Sequence, residues 1–157
     1  MGHPHQDELE AWHEAGHAVV AHLLGGRVLS VSLEPAEESL GGRSTVEWRG
    51  ADAREAASLS GRVALAGPIA EVERFGGEDL DDVHVLAAWA ADWSEIERCV
   101  AVVEPDAAAR ERVVEAWARE VRGLLADPEV EERVARVADA LDAHGELDET
   151  LFEDCLG

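Results

Sequence analysis

The sequence predicts a mainly α, single-domain protein with one small two-stranded β element after its first helix. Three observations carry this. Apolar residues recur at helical spacing over most of the 157 residues. The composition is 46% hydrophobic, dominated by Ala, Val and Leu with abundant Glu and Arg, which favours helix over strand and excludes a disordered chain. Period-two alternation is confined to two short stretches, 28–35 and 44–48. A chain of this length buries a core without covalent or metal staples.

The elements follow in order. Leu9, Trp12, Gly16, Val19, Val20 and Leu23 form one helical stripe and predict a helix from about Asp7 to Leu24, stopped by Gly25-Gly26. In VLSVSLEP, 28–35, Leu29, Val31 and Leu33 alternate with Val28, Ser30 and Ser32, which reads as a strand. STVEW, 44–48, reads as its partner, and the pair leaves at least one edge open. Residues 52–75 return to the helical period, with Pro68 predicting a kink or break. Gly76-Gly77 closes that segment. A helix over 79–103 opens on an acidic turn that suits the helix dipole. Helices over 106–125 and 129–143 each follow a proline, Pro105 and Pro128. The chain turns at His144-Gly145 into a short terminal helix, DETLFEDCL.

The 35 acidic and 13 basic residues leave a formal net charge of -22. Such a surface repels phosphates and anionic lipid heads, so neither nucleic acid nor a membrane surface is an expected partner. It favours solubility and, more weakly, attracts cationic peptides or metal ions. Cys99 and Cys155 stand far apart without metal-ligand spacing, which suits a reducing, cytoplasmic setting. MGHPHQDELEAW carries no signal-peptide core, and no apolar run approaches the roughly 18 residues of a membrane span.

Chemistry concentrates at HEAGH, 13–17, which has the H-E-x-x-H pattern. On a helix, His13 and His17 lie one turn apart on one face, so both imidazoles can bind one ion. Zinc suits neutral imidazole nitrogen in a tetrahedral site with one open position for water. Glu14, rotated about 100° from His13, can take that water's proton without ligating. Chance places such a pattern somewhere in a chain of this composition about 4% of the time. The amphipathic helix around it, with Ala15, Gly16 and Ala18 leaving room for a substrate or another backbone, raises its weight. A third ligand must come from elsewhere. His22 falls off the shared face, His3 and His5 lie in the N-terminal tail, and His144 suits a solvated helix end. GGEDLDDVH, 76–84, offers Asp79, Asp81, Asp82 and His84.

Three ordered segments resemble the protease domain of the FtsH family of ATP-dependent zinc proteases. WHEAGHAVVAHLLGGRVLSVSLEP resembles its HEAGHA helix and following strand. LAGPIAE, 65–71, resembles its GGRxAE helix, and GGEDLDDVHVLA its G-x-x-x-DL-x-x-AT segment. The resemblance spans residues 9–90; the helices of 104–157 carry no family motif. It implies a zincin-like peptidase domain over 1–157, with zinc held by His13, His17 and Asp79, Glu14 as catalytic base and Glu71 supporting the metal ligands. His84, at the position of the family's AT pair, either tunes the site or faces solvent. The chain departs from the family in having no P-loop ATPase domain and no membrane segment, and in carrying Pro68 where the family has arginine. An ATP-independent zinc metallopeptidase acting on peptides or flexible protein segments is therefore the expectation. The VLSVSL strand is expected to align substrate along its edge through Val28, Ser30 and Ser32. No tyrosine is present to stabilise an oxyanion. The alternative is a non-catalytic binding module that keeps the fold. Trp89, Trp93 and Trp117 suit core packing or a subunit interface, so a homo-oligomer is compatible with the chain.

Overall fold

A computed structural model describes residues 4–33, 43–75 and 83–157, with the side chains of 4–7, 43 and 83–88 outside the description. The described chain is mainly helical, with a small antiparallel sheet. Helix α1 (Pro4–Leu23) runs through the middle and packs on α2 (Ala53–Phe75) on one side and α5 (Pro128–His144) on the other. Helix α3 (Val83–Val103) packs on α2, and α4 (Arg110–Leu125) closes the far side of α2. Strands β1 (Arg27–Ser32), β2 (Arg43–Glu47) and β3 (Glu146–Asp148) cover one end, followed by α6 (Glu149–Cys155).

The helix ends follow local chemistry. Gly25 takes φ 93° after α1, and Gly145 takes φ 76° as the C-cap of α5. Asp52, Asp127 and Asp148 accept main-chain N–H groups at the starts of α2, α5 and α6, at 2.8–2.9 Å. Several of the acidic residues thus act as caps rather than as free surface charge. Pro68 does not break α2, which stays helical from Ala53 to Phe75. Its burial against the neighbouring helices holds the segment helical against the local cost of the proline.

The sheet differs from the expected pair of strands. It has three, in the order β2-β1-β3. Glu146–Asp148 pairs with the other side of β1, and Leu147, fully buried, lies opposite Val31. Only one side chain of this three-residue strand is apolar, so it reads as a turn in sequence. Its place depends on Gly145 reversing the chain after α5. Consequently Ser30 and Ser32 are paired on both sides and offer no free edge. Val28 pairs with Val46 and is itself buried. The expectation that β1 aligns a substrate along an open edge is overturned by the arrival of β3.

Candidate metal centre

His13, Glu14 and His17 lie on the face of α1 turned toward α2 and α3, and all three are buried. Helices α1 and α2 approach closely because their contact is built of Ala and Gly. A methyl group on Gly16 would sit 2.6 Å from the Ala70 Cβ and 3.0 Å from the Ala66 carbonyl oxygen. The room read at Ala15-Gly16 is thus filled by the α2 backbone.

This approach orients both imidazoles. The His13 Nδ1 lies 2.5 Å from Glu71 Oε1, and the His17 Nδ1 lies 2.6 Å from the Val63 carbonyl oxygen. Carboxylate and carbonyl only accept, so both Nδ1 atoms donate, and a neutral ring then presents a lone pair at Nε2. Those two Nε2 atoms are 3.0 Å apart. Asp92 of α3 meets them, with Oδ2 at 2.7 Å from His13 Nε2 and Oδ1 at 3.3 Å from His17 Nε2. Tetrahedral zinc with bonds of about 2.0–2.1 Å separates its ligand atoms by about 3.3 Å. The donor set is therefore of the right type and nearly the right spacing for zinc.

Two further observations bear on the site. A Cβ on Gly67 would collide with the Nε2 atoms of both histidines, at 2.6 Å for His13, so glycine is what lets the two imidazoles pack together against α2. Glu14 is buried with its Oε1 4.0 Å from His13 Nε2, and its Oε2 has no hydrogen-bond partner among the described residues. A buried carboxylate oxygen without a donor costs free energy unless a water or ion meets it.

The electrostatics agree. Burial pushes the Glu14 carboxyl up, and the two imidazoles only partly counter it, so it sits above the usual range and suits proton transfer. Burial also opposes charge on His13, but the hydrogen bonds it donates to Asp92 and Glu71 outweigh it and hold the metal-free imidazolium up to about 10. His17 is likewise raised: Asp92 overcomes the burial penalty. Burial favours a neutral Asp92, yet the two histidines hold its carboxyl below the usual range. A proton thus bridges His13 and Asp92.

The structure thus brings together His13, Glu14, His17 and Glu71. Asp79, Asp81 and Asp82 lie outside the described residues, and so does the side chain of His84, whose backbone belongs to α3. His22 and His144 are exposed on helix ends away from the site. The residue that sequence reasoning missed is Asp92. Its signal was present: it is the one carboxylate between Val83 and Trp93, and it falls on a stripe with Trp89, Ile96 and Cys99. The denser acidic run at 79–82 drew the assignment away from it.

No protein-family model matches the chain, and no curated protein matches it. Among the described residues no helix is long and apolar enough to cross a membrane.

Proposed function

We propose that the chain is a zinc metallopeptidase that hydrolyses peptide bonds without ATP, with His13, His17 and Asp92 as the metal ligands and Glu14 as the general base. The reading rests above all on the convergence of the two Nε2 atoms and the Asp92 carboxylate, at 2.7–3.3 Å from one another. Asp92 takes the role that the family resemblance assigned to Asp79. Zinc bound there lowers the pKa of a bound water to about 7 and polarises a peptide carbonyl. Glu14 accepts the proton of the attacking water and passes it to the leaving amine, a transfer its buried, raised carboxyl is suited to. Glu71 and the Val63 carbonyl keep the proton of each ligand histidine on Nδ1, so that Nε2 stays free to ligate. The proposed substrate is a peptide or a flexible protein segment.

Cleavage of a mixed peptide library by zinc-loaded protein tests this. Glu14→Gln is expected to lower the rate by about 10²–10⁴-fold while the protein keeps its zinc. Equal cleavage by wild type and Glu14→Gln would reject the assigned base. Stoichiometric zinc with no cleavage by either would favour a metal-holding binding module.

A further inference from the structure

A second feature lies behind the metal centre. Helices α2, α3 and α4 enclose a groove of about 670 Å³ whose floor is apolar, formed by Leu65, Ile69, Ile96 and Val114 among others. Its volume lies within the range of real binding sites, about 300–1,000 Å³. Four large hydrophobic side chains are notably exposed among the described residues, and two of them, Trp93 (47%) and Val72 (40%), line this groove. Exposed tryptophan on a concave apolar surface is the kind of anchor that carries binding energy in protein interfaces.

The rim gives the occupant its charge. Glu73, Glu97, Glu111 and Glu115 stand against Arg110 and Arg122. Arg122 pairs with Glu73 at 3.8 Å, whereas Arg110 donates to the neutral main-chain oxygens of Glu104 and Pro105 and keeps its charge on the rim. Glu97, Glu111 and Glu115 are exposed, and no ion pair among the described residues engages them. An apolar floor under a rim of four carboxylates and two guanidiniums, an excess of two negative charges, complements a helix with apolar anchors on one face and Lys or Arg beside them. A second copy of this chain, at net charge -22, would bring like charge to like.

We infer that the α2–α3–α4 groove docks a basic amphipathic helix of a partner protein, anchored on Trp93. Trp89 joins the groove to the candidate metal centre. It lines the groove and donates from Nε1 to Glu71 Oε2 at 3.2 Å, while the other Glu71 oxygen meets His13 Nδ1. Docking on this groove does not depend on the metal reading.

The test is fluorescence anisotropy with two labelled amphipathic peptides of about four helical turns, identical on their Leu/Trp face. One carries Lys beside that face and the other Glu. The Lys peptide is expected to bind wild type and to lose at least about tenfold in affinity on Trp93→Ala, and again on the pair Glu97→Lys, Glu115→Lys. The pair Asp139→Lys, Asp142→Lys, on the exposed side of α5, should change affinity less than about twofold. Circular dichroism confirms that each variant is folded. The inference is overturned by any of several results: no binding of the Lys peptide, equal binding of the Glu peptide, equal loss in both charge-reversal pairs, or insensitivity to Trp93→Ala. A concentration-dependent dimer in sedimentation that Trp93→Ala dissolves would make a second copy the occupant and overturn it too.

Discussion

The crossing of α1 with α2 and the packing of α5 and α6 under the sheet both lie in the interior, but they are built from different side chains. At the crossing, buried Ala15, Ala18, Ala66 and Ala70 surround Gly16 and Gly67, and His13, Glu14, His17 and Glu71 are buried among them. At the other end Val134, Val137, Leu141, Leu147 and Phe152 are almost wholly buried, with no charged group among them. Small residues let two backbones approach until imidazoles on one helix reach a carboxylate and a carbonyl on the next. Large apolar residues bury area, which is the main favourable contribution to stability. The first region should therefore fail chemically when it is crowded, and the second should fail thermodynamically when it is emptied.

The sharpest break of that contrast is Gly67→Ala. One methyl group there would overlap both imidazoles at Nε2 and force them apart, so zinc should fall from about one ion per chain to nearly none, with helical content retained. Elemental analysis beside circular dichroism reads both quantities, and full zinc retention would remove the assigned metal position. Leu141→Ala is the converse. It should cost about 2–5 kcal/mol in a urea titration, through lost burial and a residual cavity, yet leave zinc content at wild-type level well below the unfolding transition. Loss of zinc from the folded variant would show that the two regions are not separable.

A smaller effect sharpens the comparison through pH. The metal-free His13 imidazolium is raised to about 10, above its ordinary 6.5. Stability from that proton is complete below about pH 6.5, declines as pH rises, and is lost beyond about pH 10. The chain has neither lysine nor tyrosine, so few other groups titrate in this interval. Chelator-treated protein should therefore show a lower denaturation midpoint at pH 10 than at pH 7. Zinc-loaded protein, with the metal in the proton's place, should lose less. Identical pH dependence with and without zinc would contradict this coupling.

Much of the architecture was legible because its periodicities are strong. Of the stripe from Leu9 to Leu23, Leu9, Gly16, Val19 and Val20 are buried and Trp12 and Leu23 half-buried, while α1 is buried on its other sides as well, and Pro128 does open α5. HEAGH was legible as a pair of ligands because one helical turn sets their separation. What escaped were features fixed by tertiary contact. Leu147 forms a strand only because β1 lies beside it, and that pairing closes the edge on which Ser30 and Ser32 were to act. Asp92 meets the two histidines only where α3 crosses α1, 79 positions from His13 in sequence. A lone carboxylate on an apolar helical stripe was the local trace of that crossing, weaker to the eye than the acidic run at 79–82.

The most direct measurement is zinc content per chain for wild type, His17→Ala, Asp92→Ala and Asp79→Ala, each purified without an affinity tag and dialysed after zinc addition. The ligand set of His13, His17 and Asp92 predicts about one zinc in wild type and in Asp79→Ala, and little in His17→Ala and Asp92→Ala. Full zinc in Asp92→Ala, or none in wild type, would contradict it.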